Sequence, residues 1–486
     1  MILAALLLLP LSGLRAGADI RCTITPLRGG EVIFGHYLGG ERRLIADDTL
    51  HLDAQGTATV QTAEPLPHGM YFFYLPGKAK FDVIIGDDQT FSVRTDTAGL
   101  AAHPVFTGSA ENEAFYRYND YNRAKYTEFR ALSSSYAAAT DAAGKNAVRQ
   151  QMNRMSQEKN RFVDSLRQAH PGTFLYKVLG AILEPEVPDP PAGADADWQA
   201  RWFRKHYFDH FDLADSAMLR TPFYESRLTS FFSQCVPAQA DSIIEEADKI
   251  LSATAASPEL FRFNLITLWN TYVTSKQMGM DAVWVHLAER WYLPQGTWLK
   301  EEERKTITDE VMRKKYNLIG LDAPPLDKLM SLPADHFKLA VTDTATRFDL
   351  HAGTMVPDFR KSIQSDYIVV FFWDVTCSHC REFILKLHEV FPALKKYGAT
   401  VMTVQILISR EGKSKWVDYI NEHQLYDWMN TWSPYSADYR HLYDTDLVPI
   451  LYVLDKDRKI VAKQLQPEQL EDFLQFHQRT KNSQQP

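Results

Sequence analysis

Phe372-Trp373-Asp374-Val375-Thr376-Cys377-Ser378-His379-Cys380 is the stretch from which the rest of this chain is best read. It follows Tyr367-Ile368-Val369-Val370-Phe371-Phe372, a continuous apolar run of the kind found in a strand buried on both faces. A helix is expected from Cys377 to about Tyr397. A C-x-x-C placed between a buried strand and a helix reads as a redox motif, and the spacing has a physical reason. Two intervening residues let both sulfurs meet across the first helical turn. Cys377 then stands at the helix N-terminus, where unpaired N–H groups and the dipole favour a thiolate. A lowered pKa gives more nucleophile at neutral pH. In this reading Cys377 attacks a disulfide and Cys380 resolves the mixed disulfide.

Working outward, strand and helix patterns alternate from about residue 316 to the end. Strands are expected at 400–408, 450–454 and 459–465, and helices at 413–423 and 467–477. Asp455-Lys456-Asp457-Arg458 serves as a hairpin turn between the last two strands. This predicts an α/β sheet with a hairpin at one end. With Gly320-Leu321-Asp322-Ala323-Pro324-Pro325-Leu326 as an opening, the Phe-Trp-x-x-x-Cys-x-x-Cys segment, and Val448-Pro449-Ile450-Leu451-Tyr452-Val453-Leu454-Asp455, residues 316–486 resemble the thioredoxin superfamily, in its exported TlpA/ResA-like branch.

The resemblance implies a thioredoxin fold, a redox-active Cys377–Cys380 disulfide with no dissociable cofactor, and protein thiols or disulfides as partners. It also implies that Pro449 is a cis-proline facing the disulfide and that Val448 offers its backbone to an extended substrate. Trp373 packs around the active-site loop, with some role in substrate contact. Two departures stand out. Phe371 occupies the place of thioredoxin's buried aspartate, so Glu382, Asp374 or water must take the proton. His379 before the second cysteine is similar to strongly oxidising relatives of the DsbA kind. With Ser378 and Thr376 it is the expected tuner of the potential, because a cation near Cys377 stabilises the thiolate.

Other readings of the motif fare less well. A structural disulfide closing so short a loop adds little stability. Zinc would need a second ligand pair, and no other C-x-x-C exists. Val356-Pro357-Asp358-Phe359 resembles a peroxiredoxin opening, but Val370 and Asp374 stand where that signature needs Pro and Thr. His206 and His210, four apart beside Asp209 and Asp212, have a spacing that suits a metal but lack an accompanying H-E-x-x-H. They read as a surface or partly packed pair, with Trp198 and Trp202 as core. No metal site is expected.

The remaining sequence divides into two further regions, making a multidomain chain: β-sandwich, then all-α helical domain, then α/β thioredoxin fold. Residues 19–106 hold short β-branched and aromatic runs punctuated by Gly, Asp and Pro, a small sandwich or barrel. Residues 107–315 change to a helical period, shown by the stripe Phe261, Leu265, Leu268 and Tyr272. Helices are expected at 110–132, 145–168, 198–211, 222–235 and 280–292, with Pro185–Pro191 as a stiff connector. The middle segment resembles a helical domain of unknown function that precedes exported thioredoxin-like domains, and 316–486 form the last domain.

Residues 1–18 read as a secretory signal: an apolar run from Ile2 to Leu14, too short to span a bilayer, then Ala16-Gly17-Ala18. Arg21 before Cys22 argues against lipidation. The expected product is exported, most naturally periplasmic, and soluble after cleavage. The chain has 486 residues, 45% apolar and 23% charged, with a net charge of −8. It lacks the basic excess of a nucleic-acid binder, and its four cysteines are too few for a disulfide framework. Cys22 and Cys235 are expected as a disulfide or as buried thiols, the latter especially for Cys235. The functional expectation is an exported thiol–disulfide oxidoreductase served by a membrane or soluble redox partner. The alternative is a cell-envelope binding protein with a redox-sensitive accessory domain.

Overall fold

The computed structural model describes residues 17–483 apart from 103, 184, 436 and 437. The apolar run of the expected leader, through Ala16, lies outside the described residues. Asp19, the expected mature start, opens the first strand. Among the described residues no helix is long and apolar enough to cross a membrane. The chain forms two compact units, one up to Ala238 with Glu246–Asn264, the other of Gln239–Glu245 and Leu265–Pro486, so the helical stretch is shared between them.

The first unit begins with two four-stranded sheets. One runs in the order Thr57–Gln61, Asp19–Thr25, Thr90–Asp96, Val105–Thr107; the other runs Leu44–His51, Glu31–Tyr37, Gly69–Tyr74, Lys80–Ile85. Alternate residues point inward, as a strand's period of two requires. Asp19–Thr25 thus buries Ile20, Cys22 and Ile24. These join Phe34, Phe73, Val83 and Val93 of both sheets in one core, which is the expected sandwich. Cys22 is a free thiol, fully buried there, and burial pushes it up to about 12.

Two long helices follow, Ala110–Ala138 and Ala142–Gln168, each started by a side-chain cap from Ser109 or Asp141. Phe174–Ile182 is a helix where none was expected. Two expectations need correction. Helix Trp198–His206 buries no residue fully, so Trp198 and Trp202 are half-buried surface rings rather than core. Trp202 stacks on His206 at 4.1 Å, and His206 Nδ1 lies 2.7 Å from Asp209. Cys235, at the end of a π-helical turn, is a free thiol that is half-buried rather than buried.

The second unit carries a seven-stranded sheet. Its order is Thr354–Met355, Met330–Ser331, Met429–Trp432, Ala399–Gln405, Tyr367–Trp373, Ile450–Leu454, Ile460–Lys463. Tyr367–Trp373 pairs in parallel with Ala399–Gln405 and antiparallel with Ile450–Leu454. Its unbroken apolar run serves two cores. Tyr367, Val369, Phe371 and Trp373 face one that includes Ile384, Leu387 and Phe391 of helix Ser378–Leu394. Ile368, Val370 and Phe372 face the other, with Phe359, Tyr443 and Tyr452. That arrangement fixes the strand from both sides and holds its C-terminal end, where the cysteines follow, in one place.

Candidate active site

Helix Ser378–Leu394 buries Cys380, Ile384, Leu387, Phe391 and Leu394 along one stripe. It finishes in a tight turn at Gly398, whose φ of 70° and close approach to Asp366 exclude a side chain. At its other end Cys377 is the N-cap. Its backbone is extended, its N–H donates to the Asp374 carbonyl at 3.0 Å, and its Sγ accepts the Cys380 N–H at 3.4 Å. The sulfur thus occupies the place a capping oxygen normally takes, facing the positive end of the helix.

The two sulfurs have different surroundings. Cys377 is half-buried, whereas Cys380 is wholly buried. Burial pushes the Cys380 thiol up to about 12; a backbone hydrogen bond from Asp374 opposes this, and Cys377 and the Asp374 carboxylate add to it. Asp374 accepts both the Thr376 N–H and its hydroxyl at 2.7 Å. Thr376 therefore shapes the turn ahead of Cys377, while Ser378 and His379 are exposed.

Phe371, in place of an acid, stacks on Phe383 at 4.9 Å and 8°. Of the suggested proton acceptors, Glu382 is largely exposed and pairs with Lys386 at 3.0 Å; Asp374 is the carboxylate whose charge reaches Cys380.

Ile450 pairs with Phe372, so continuing that register sets Pro449 opposite Trp373, at the sheet end where the cysteines lie. The Val448–Pro449 peptide is cis. Pro449 and His379 line one groove of ≈ 640 Å³, together with Glu382, Phe383, Lys386, Leu447 and residues of helix Glu301–Lys314. Trp373 does not belong to this groove. It is fully buried, 5.7 Å from Tyr419, because its strand is covered on both faces and its ring packs in the core that includes Ile384 and Leu387; the expected substrate contact is corrected accordingly.

Sequence reasoning missed Leu447 and the final turn of helix Glu301–Lys314. The helix had a readable signal in its acidic first turn, Glu301–Glu303, and its basic last turn, Arg313-Lys314.

This asymmetry gives a direct expectation. Iodoacetamide at pH 7–8 should alkylate Cys377 and leave Cys380 unmodified, with mass spectrometry of the two positions as the check. Cys380, buried and with its thiol pushed up to about 12, should react in the folded chain far more slowly, gaining only as the pH becomes strongly alkaline. The unfolded chain releases this proton near pH 9, the ordinary value for a thiol. The buried thiol's contribution to stability is therefore present below pH 9 and declines as the pH rises from 9 toward 12. Equal labelling of both positions at pH 8 would contradict the asymmetry.

Two family models match parts of the chain. A family described as a domain of unknown function (DUF5106) matches residues 142–317, and one described as thioredoxin-like matches 365–460. No curated protein matches. Among solved structures, a thioredoxin-like protein from Bacteroides caccae is 18% identical, with 60% of this chain and 98% of that one covered and a TM-score of 0.41. A domain of a possible thiol-disulfide isomerase from Cytophaga hutchinsonii is 27% identical over 34% of this chain and 97% of its own, TM-score 0.28. The thioredoxin domain of a thiol-disulfide oxidoreductase from Bacteroides vulgatus is 22% identical over 33% and 96%, TM-score 0.25. The cysteines at 377 and 380 thus lie within a thioredoxin-like domain that follows a helical region matching DUF5106.

Proposed function

We propose that this chain is an exported thiol–disulfide oxidoreductase of the TlpA/ResA-like branch, exchanging disulfides with proteins through Cys377-Ser378-His379-Cys380. The observation that carries this reading is the pairing of a half-exposed sulfur at a helix N-terminus with a buried thiol one turn behind it.

In the reducing direction, the Cys377 thiolate attacks one sulfur of a substrate disulfide. The substrate S–S bond breaks, a Cys377–substrate disulfide forms, and the other substrate sulfur leaves as a thiolate and takes a proton. Cys380 then gives its proton to Asp374 or to water and attacks Cys377 Sγ. The Cys377–Cys380 disulfide forms, the second substrate thiolate is released, and two electrons have passed to the substrate. The reverse sequence donates a disulfide.

His379, exposed in the groove, Ser378 and Thr376 tune the potential, while Val448 and Pro449 shape the substrate groove. No dissociable cofactor takes part, and a membrane or soluble redox partner resets the pair. The leader at 1–18 underlies the proposal of export to the periplasm.

The test is to equilibrate the mature protein in graded glutathione buffers and count modified cysteines at 377 and 380 by mass spectrometry. A reversible transition is expected. A midpoint near about −120 mV marks a disulfide donor, and one near about −270 mV a reductant. No exchange at any ratio would mean the pair is sequestered, and would favour a cell-envelope binding protein whose thioredoxin-like domain is accessory.

A further inference from the structure

We propose that the last turn of helix Glu301–Lys314, together with Asn317, belongs to the redox site. It positions the loop that ends in Val448-Pro449 and forms one wall of the groove, so that polypeptide disulfides are preferred over small ones. This rests on the reading of Cys377 and Cys380 as a working redox pair.

The observations form a series. Asn317 Nδ2 donates to the Leu442 carbonyl at 3.1 Å. The Lys314 ammonium pairs with the Asp444 carboxylate. Arg313 Nη1 lies 3.1 Å from Asp446 Oδ2, while its other terminal nitrogen pairs with Glu310 on its own helix. Three neighbouring side chains thus hold residues 442, 444 and 446, alternate positions of the segment that runs straight into Leu447-Val448-Pro449. Asp444 takes a left-handed conformation, φ 47°, which aspartate adopts more readily than most residues, and its ion pair with Lys314 ties that turn to the helix. The anchor is itself fixed, because Lys463 Nζ donates to the Asn317 carbonyl at 3.0 Å.

The same contacts define what lies in the groove. Leu447 is 84% exposed, a large apolar side chain held in water beside Pro449. The charges around it largely neutralise one another: Arg313 with Asp446, Lys314 with Asp444, Lys386 with Glu382. With Glu310, which also pairs with Arg313, the lining keeps a slight acidic excess; such a rim offers apolar contact and hydrogen bonding with little net charge, which suits an extended polypeptide carrying an apolar residue next to its cysteine. A small anionic disulfide would reach Cys377 while touching little of this wall. The residues that grip the loop lie outside 365–460, the span matched as thioredoxin-like, and within or at the end of the helical match, 142–317. The helical segment is thereby part of the specificity of the site.

The test uses the full mature chain, reduced in advance, in single turnovers with insulin as the polypeptide disulfide and 5,5′-dithiobis(2-nitrobenzoate) as the small one. Arg313 and Asp446 are partly exposed, so Arg313→Glu, Asp446→Arg and the combined swap should all fold, with melting temperature as the check. Each single variant should lower the ratio of insulin rate to small-disulfide rate by about tenfold, chiefly through a weaker apparent affinity for insulin. The swap should recover most of that loss.

Hydrogen exchange across 442–449 should quicken in the single variants and return toward wild type in the swap, a readout that does not depend on turnover. Unchanged rate ratios together with unchanged exchange would overturn the proposal. So would a swap as impaired as the single variants. A wild-type chain inert toward both disulfides would instead overturn the redox reading, and the exchange of 442–449 would then decide the positioning claim alone.

Discussion

A Cys377→Ser chain should lose disulfide exchange by at least ~10³-fold, the scale on which removing a reacting nucleophile lowers turnover. A Cys380→Ser chain should stop half-way and accumulate mixed disulfides on Cys377. The two outcomes differ because the sulfurs stand differently. Cys377 caps the helix and is half-exposed, so it alone can meet an incoming disulfide. Cys380 is buried and its thiol is held protonated up to about 12, so its task begins only once Cys377 is already bonded to substrate. Removing it leaves no nearby thiolate to release the adduct. Serine at 380 buries a hydroxyl among Ile384 and its neighbours, which costs about 1–3 kcal/mol when unpaired. Cys380→Ala, measured alongside, separates that cost from chemistry. Non-reducing electrophoresis reads the outcome: adducts with Cys380→Ser and Cys380→Ala, none with the double variant Cys377→Ser/Cys380→Ser. A partner retained equally by the double variant would favour binding over catalysis.

The part of the site that could be read from sequence was the part whose chemistry is local. Cys377, Cys380 and the apolar strand before them announce themselves by spacing and composition, as do the β-branched and aromatic runs of the sandwich, such as Gly69–Tyr74. What escaped depends on contacts distant in sequence. Strand Met429–Trp432 carries Asn430 and Thr431 in the interior, so it shows no apolar run. Asn430 is made tolerable by Thr403, whose hydroxyl donates to its Oδ1 at 2.9 Å, and by the Leu425 carbonyl, which accepts from its Nδ2 at 2.6 Å. Trp373 beside a redox motif suggests a substrate contact, yet the elements packed on both faces of its strand leave it in the core. Arg313, Lys314 and Asp446 look like ordinary surface charges until the fold brings positions more than a hundred residues apart together.

Lys463→Met should lower the stability of the second unit by about 3–5 kcal/mol, the usual consequence of removing one partner of a buried ion pair. Lys463 and Asp281 pair directly with side chains only 7% and 15% exposed. The ammonium also donates to the Asn317 carbonyl and side chain, at 3.0 and 3.3 Å. Burial lowers the Lys463 pKa and the Asp281 carboxylate opposes that shift, so the charged form survives because of its partner. Take the lysine away and Asp281 is left as an uncompensated carboxylate, with one oxygen already lacking a hydrogen bond.

Desolvation makes the pair weak as a net source of stability, so removing both charges should cost far less than removing one. Lys463→Met/Asp281→Leu should recover most of the loss, and urea unfolding of all four chains closes the double-mutant cycle. The pair joins the edge strand Ile460–Lys463 to helix Asp281–Leu287, and through Asn317 it reaches the segment that grips the loop before Pro449. A coupling of several kcal/mol would mean that the pair, rather than either charge alone, ties the sheet edge to the helical segment. Additive losses would mean that the two charges do not depend on each other and would overturn this account.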